Sequence, residues 1–153
     1  MREIAERFEY KEGYLYKKNN GNKCTSTDAN GYVRVCWDRG SLGRIRVFAH
    51  RLIYFMHYGD IPEGMYVDHI DMDCSNNFIS NLRLVTKSGN AQNQRTKGYW
   101  LDKRSGKYRA QIKLNGKSKC LGLHTTAQEA RSAYLRAKKE LHPIASPDAF
   151  ILN

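Results

Sequence analysis

Several things are missing from this chain. There is no C-x-x-C pair: Cys24, Cys36, Cys74 and Cys120 are widely spaced. That argues against a cysteine-built zinc site and a disulfide framework, and predicts reduced, partly buried thiols. No apolar run approaches the length that spans a bilayer. The N-terminal stretch MREIAERFEYKEG is too charged for a secretory signal, so the expected location is the cytoplasm. Acidic residues are also scarce, with 15 Asp and Glu against 26 Lys and Arg, a net charge of +11.

What is present is a folded composition, 41% hydrophobic and 27% charged, in a chain of 153 residues. That length allows one ordinary domain or two small ones. A charge of +11 attracts polyanions through counterion release, whatever their sequence. The charge is uneven: +3 over residues 1–96 and +8 over residues 97–153. The C-terminal third is therefore the expected nucleic-acid grip, unless its charge is only a solvated face.

Residues 8–48 read as short strands. GYLYKK, NGYVRVCW and RIRVFA are aromatic and β-branched, and NNGN, DANG and RGSLG punctuate them. AHRLIYFMHYG reads as a helix, with Leu52, Ile53 and Met56 on one face and Gly59 as its stop. MYVDHI and NLRLV follow as strands, and Thr86 can cap a short helix in KSGNAQNQR. A polar link near residues 94–97 leads to strands in GYWLD, KYRAQIKL and KSKCLGL and a helix over about 127–141. Thr126 and Glu129 have capping-box spacing for that helix. The segment after Pro143 is expected to be loosely held.

The stretch VDHIDMDCSNNFISNLRLVT sets Asp68 against His69 at the end of an apolar run, with Asn76, Asn77 and Asn81 after them and Asn90 beyond. Cutting a phosphodiester with one metal ion needs a base that works near neutral pH, and histidine is suited to it. It needs oxygen ligands for a hard cation, such as a carboxylate and an amide carbonyl. It also needs something to hold the imidazole in one tautomer. Asp68, His69, Asn81 and Asn90 carry these chemistries. The same residue types would equally serve as a surface ion pair and ordinary turns.

The pattern AHRLIYFMHYG…VDHID…NNFISNLRLVTKSGNAQNQ resembles the HNH endonucleases, the ββα-metal nucleases of phages and mobile introns, most closely the H-N-N branch. The likeness runs over about residues 30–96. It implies that His69 is the general base, that Asp68 and Asn90 are metal ligands, and that Asn81 holds the histidine and the loop. The implied reaction is hydrolysis leaving a 5′-phosphate and a 3′-hydroxyl. His50 matches a scaffold histidine, and Arg51 is a candidate phosphate contact. Many relatives have glycine where this chain has Met72. A Cβ resists positive φ, so a differently shaped turn is expected there. His57, His124 and His142 are isolated and read as structural or exposed.

In KYRAQIKL, Tyr108, Ala110, Ile112 and Leu114 alternate with Lys107, Arg109, Gln111 and Lys113. The apolar set can pack on the last helix through Ala130, Tyr134, Ala137 and Leu141. Arg and Gln on the other set can read guanine and adenine in the major groove. The segment 97–142 resembles the AP2 DNA-binding domain, a three-stranded antiparallel sheet on one helix. The shared frame is Gly98-Tyr99, GKY-x-AQI, Leu121-Gly122, T-x-x-EA and Ala133-Tyr134. The resemblance makes Lys97, Trp100, Arg104, Lys107, Arg109, Gln111 and Lys113 contact candidates and lets Tyr134 reach a phosphate. Ser118 and Cys120 depart from the Arg and Trp of many plant members, so base preference does not transfer. Lys119 shares parity with Leu121, placing its stem on the core side.

The expected fold class is α+β. An HNH nuclease domain with a β-rich N-terminal extension covers 1–96, an AP2-like domain 97–142, and a tail 143–153. The expected function is a metal-dependent DNA endonuclease of homing or mobile-element type, using Mg²⁺ or Mn²⁺. It would act as a monomer on double-stranded DNA, with no membrane or obligate protein partner, in the host cytoplasm if phage-encoded. The alternative is a non-catalytic DNA-binding regulator with a decayed nuclease half.

Overall fold

The computed structural model describes residues 1–150. Two compact units divide the chain, Met1–Val85 and a second from Thr86 onward. The expected division at 96/97 falls earlier in the structure. The residues after Thr86 are bound into the second unit by their own polar groups: Gln92 Oε1 accepts from Ile144 N, Asn93 Oδ1 from Ser146 N, and the Gln94 carbonyl from Lys138 Nζ.

In the first unit, α1 (Arg2–Ala5) precedes an antiparallel hairpin of β1 (Phe8–Lys11) and β2 (Tyr14–Lys17). A second hairpin pairs β3 (Arg34–Asp38) with β4 (Arg44–Phe48). β4 runs directly into α2 (Ala49–Tyr58), and Gly59, at positive φ, donates its N–H to the Phe55 carbonyl to end it. β5 (Met65–His69) and β6 (Leu82–Thr86) form a third two-stranded sheet. The core gathers Ile4, Phe8, Leu15, Val35, Leu52, Ile53, Val67 and Leu82, one or two side chains from each element except β4, whose Ile45 and Val47 pack against it partly buried. Short hairpins cannot stand alone in water, and α2 supplies the apolar face on which they collect. Met56, expected on that face, is only partly buried.

The second unit begins with α3 (Lys87–Gln92), capped by Thr86 Oγ1 accepting from Gly89 N at 3.1 Å. β7 (Tyr99–Asp102), β8 (Lys107–Leu114) and β9 (Lys117–His124) form an antiparallel sheet in that order, and α4 (Ala127–Leu141) packs on it. β8 turns into β9 through Asn115-Gly116, both at positive φ, the backbone that a two-residue hairpin turn requires. The capping box of Thr126 and Glu129 is formed. β8 alternates as expected: Ala110 and Ile112 are buried, while Lys107 and Lys113 are exposed. β9 carries a bulge at Leu121, so that Lys119 pairs with Ile112, yet Lys119 remains exposed.

Two expectations need correction here. Residues 143–150 are not loosely held. Ser146 and Ala149 are buried, and Pro147–Phe150 makes a 3₁₀ turn whose Ala149 carbonyl accepts from Lys138. Residues 151–153 of the expected tail lie outside the described residues. Tyr134 is not a surface phosphate contact: it is 4% exposed, and its hydroxyl hydrogen-bonds Thr96 Oγ1. The aromatic ring contributes more buried area to this small core than it could at the surface. Lys138 is also buried, held by the Gln94 and Ala149 carbonyls. Burial, with Arg131 nearby, pushes its ammonium down to about 8. All four cysteines are free, and Cys36 and Cys120 are exposed.

Gly98 explains why the second unit's sheet opens on glycine. It sits at φ +73°, and a Cβ there would stand 2.1 Å from the Tyr134 ring. Gly98→Ala is expected to destabilise the protein by about 2–4 kcal/mol through overpacking and backbone strain. Gly116→Ala has positive φ but open space around it, and should cost about 1 kcal/mol. Urea denaturation of both variants checks the difference.

Candidate functional site

β5 ends on three buried residues, Val67, Asp68 and His69. Asp68 and His69, 8% and 4% exposed, bring polar atoms into the interior, so each needs a partner. Asp68 meets Arg83 from β6, whose Nε and Nη2 both lie 3.0 Å from Oδ2. His69 Nε2 lies 3.0 Å from Asn77 Oδ1. The Asn77 amide is oriented by its own Nδ2, which donates to the Ser75 carbonyl. Oδ1 can only accept, so Nε2 is the donor in this contact.

The loop after β5 is built from the amides the sequence supplies. Asn81 Oδ1 accepts from Asp71 N, while its Nδ2 donates to Asp71 Oδ1 and to the Asn76 carbonyl. Asn76 Nδ2 donates to the other Asp71 oxygen at 2.6 Å. The Ser75 N–H and hydroxyl both donate to Asp73 Oδ1. Burial works to raise the Asp71 carboxyl, but the Asn81, Asp73 and Asn76 donors outweigh it and hold the group below its ordinary value. Asp73 is lowered by the Ser75 hydroxyl and N–H. Asn81 thus spends its hydrogen bonds on the loop, and the amide on the His69 ring is Asn77's. Met72 takes φ +64° within this loop. The turn has the left-handed backbone despite the Met72 Cβ.

The His69 ring is enclosed by other rings. His50, at the start of α2, meets it edge-on at 4.9 Å, and Tyr32 lies 5.9 Å away. Phe48 stacks on His50 at 5.5 Å. A hydrogen bond with the Cys74 thiol, then burial, then the charges of Cys74, Asp68 and Asp28 push the Tyr32 hydroxyl up to about 12. Burial first, then His69 and Arg51, push His50 from 6.5 down to about 3, and its buried Nδ1 has no hydrogen-bond partner. Arg51 is half-buried on α2. His57 bonds the Ile53 carbonyl and His142 the Lys113 carbonyl, so both serve the fold.

In the second unit, Asn90 lies half-buried on α3. The cross-strand pairs Trp100–Arg109 and Arg109–Leu123 set one row across the sheet face away from α4, and Trp100 is 46% exposed there. Lys107 and Lys113 are exposed on the same face, while Arg109 and Gln111 are half-buried. Arg109 leans on Asp102 at 3.5 Å. Arg104 is exposed in the β7–β8 turn, and Lys97 lies over the Tyr99 ring. Asn77 and Arg83 were missed as site residues. Asn77 was one amide among several, and Arg83 read as an ordinary strand position. Its only signal was a charge inside an apolar strand, LRLV.

β5 thus ends on a buried Asp-His pair, closed by an asparagine-built loop and followed in the chain by β6 and α3. Residues 47–92 match the family model described as HNH endonuclease. HNH nucleases generally use a divalent metal ion. Among similar proteins, the SPbeta prophage-derived putative HNH homing endonuclease YosQ of Bacillus subtilis (strain 168) is 35% identical over 78 residues, 50% of this chain and 44% of that protein. The uncharacterized HNH endonuclease L560 of Acanthamoeba polyphaga mimivirus is 34% identical over 112 residues, 70% of this chain and 59% of that protein. The DNA endonuclease I-HmuI of Bacillus phage SP01 is 36% identical over 69 residues, 45% of this chain and 39% of that protein. The chain thus spans about half the length of these relatives or less in two cases and 59% in the third. A solved structure described as DNA binding and cleavage by the HNH homing endonuclease I-HmuI shares the fold. It has a TM-score of 0.50 and 22% identity and covers 93% of this chain and 88% of that one. No helix among the described residues is long and apolar enough to cross a membrane.

The neutral His50 gives the fold an acid sensitivity. Its folded pKa lies below its unfolded value, so its contribution is fully present above 6.5 and is lost as pH falls toward 3. Between pH 7 and pH 5 the loss should be about 2 kcal/mol. Urea midpoints at the two pH values should separate less in His50→Asn than in the native protein.

Proposed function

We propose that this chain is a metal-dependent DNA endonuclease of the homing or mobile-element type, cutting phosphodiester bonds in double-stranded DNA. The observation that carries this reading is the buried Asp68–His69 pair under a loop whose amides are committed to fixing it, inside the segment that matches the HNH endonucleases. Relatives described as endonucleases support it. An intact set of Asp68, His69, Asn81 and Asn90 argues against a decayed nuclease.

In this reading His69 is the general base. Its Nδ1 lone pair takes a proton from the attacking water, while Asn77 keeps the other proton on Nε2. His50 packs against the ring as a neutral group, so it adds no opposing charge as His69 becomes cationic. Asp68 and Asn90 hold one divalent cation, Mg²⁺ or Mn²⁺. Their chemistry fits: a carboxylate and an amide oxygen are hard donors. When bound, the cation neutralises charge on the phosphate and on the leaving oxygen.

The AP2-like second unit supplies the grip, laying the exposed face of its sheet in the major groove. Lys97, Arg104, Lys107 and Lys113 contact phosphates, Trp100 packs on the duplex, and Arg109 and Gln111 read bases. Arg51 meets a phosphate near the cut. The chain acts as a monomer on DNA.

Plasmid incubated with the protein should be cut in Mg²⁺ or Mn²⁺ and spared in EDTA. His69→Ala should lower cleavage by about 100-fold or more and leave DNA binding intact, since the imidazole acts on water. Asp68→Ala and Asn90→Ala should each raise the Mg²⁺ concentration needed for half-maximal cutting. An unchanged titration in both would sink the ligand assignment. Lys107→Ala and Lys113→Ala should each flatten the salt dependence of binding by about one phosphate contact. Arg109→Ala and Gln111→Ala should instead relax base preference. Binding isotherms at several salt concentrations, with matched and altered duplexes, separate the two effects.

A further inference from the structure

Arg83 meets Asp68 with two nitrogens of its fork, Nε and Nη2, each 3.0 Å from Oδ2. Charge-assisted contacts of this kind are strong and directional. Both side chains are shielded, Asp68 at 9% and Arg83 at 25% exposure, so solvent does little to weaken the pair or let it wander. A contact of this kind fixes the plane of the carboxylate by one corner. It also places a permanent positive charge beside the group that is to receive a dication.

We propose that Arg83 is a positioning residue for the cation. It fixes the direction of the Asp68 carboxylate, and so where the bound cation sits for turnover, while its charge restrains how tightly that cation is held. The inference rests on the reading of Asp68 as a ligand. It requires no contact between Arg83 and the substrate. The two effects of the guanidinium have opposite signs, which distinguishes this role from a salt bridge that only supports the fold. Removing Arg83 takes away the competing charge, so the cation binds more tightly. The same change lets the carboxylate rotate, so the bound cation is misplaced and turnover falls.

The test uses the full chain and two readouts: Mn²⁺ binding followed by electron paramagnetic resonance, and plasmid nicking at saturating Mn²⁺. Arg83→Met should bind Mn²⁺ about 3- to 10-fold more tightly and nick at least about 10-fold more slowly. Arg83→Lys keeps the charge but not the fork. It should bind Mn²⁺ like the native protein and nick more slowly. If Arg83→Met fails to fold, Arg83→Lys decides the question. Native nicking in Arg83→Lys overturns the proposal, and so does weaker Mn²⁺ binding in a folded Arg83→Met, because the guanidinium would then be assisting the cation. Asp68→Ala separates the two levels. Native Mn²⁺ binding in that variant means Asp68 is not a ligand. Weakened binding there, with Arg83 variants that change neither readout, refutes only the role of Arg83.

Discussion

Asn81 and Asp71 grip each other from both sides of the loop between β5 and β6. The amide oxygen takes the Asp71 N–H, and the amide nitrogen gives to the Asp71 carboxylate and to the Asn76 carbonyl. A loop of this length would otherwise sample many conformations, each placing Asn77 differently. With Asp71 and Asn76 anchored, Asn77 has one place to be, and from there it sets the proton on the His69 ring. The carboxylate remains charged although burial opposes this, because three donors converge on it. Loss of any one partner leaves the rest buried and underpaired, so the network is stable only as a whole.

The first unit places this loop on very little scaffold. Three two-stranded sheets and one ten-residue helix share a single core, and β5 owes its position to Val67 packing into it. The ring cluster of Tyr32, Phe48, His50 and His69 extends that core to the end of β5. A buried histidine with a partnerless Nδ1 is an expensive choice for packing alone. An apolar ring in place of His50 would spare that cost. The buried polar groups concentrated around His69 cost stability that an apolar cluster would keep.

The second unit obtains its stability in another way. Ala110, Ala130 and Ala133 bring sheet and helix close together. Much of the remaining cohesion comes from cations set on backbone carbonyls. Arg131 reaches Thr96, Lys97 and Phe150, and Lys138 reaches Gln94 and Ala149. These bonds tie the segment before β7 and the segment after α4 to one face of a single helix. The basic residues of this unit therefore divide. Arg131 and Lys138 hold the chain together, while Lys107 and Lys113 stand in solvent on the opposite face of the sheet.

Much of the local structure was legible in the sequence because near neighbours determine it. The Asn115-Gly116 turn, the Thr126–Glu129 box, the Thr86 cap and the alternation of β8 each depend on residues a few positions apart. The Asp68–His69 pair stood out in the sequence as an acid beside a histidine at the end of an apolar run, and the fold buries both at the end of β5. Other features depend on where distant residues meet. Asn77 and Asn81 are the same residue type in the same loop, and only the folded loop decides which amide reaches His69. Arg83 gains its meaning from the strand beside it, and Tyr134 from a glycine 36 positions earlier that leaves room for its ring. Lys138 looks in the sequence like the lysine beside it, and only the fold brings its ammonium to a carbonyl 44 residues away. Burial of a polar side chain is decided by whether the rest of the chain brings it a partner, and pattern along the sequence does not carry that information.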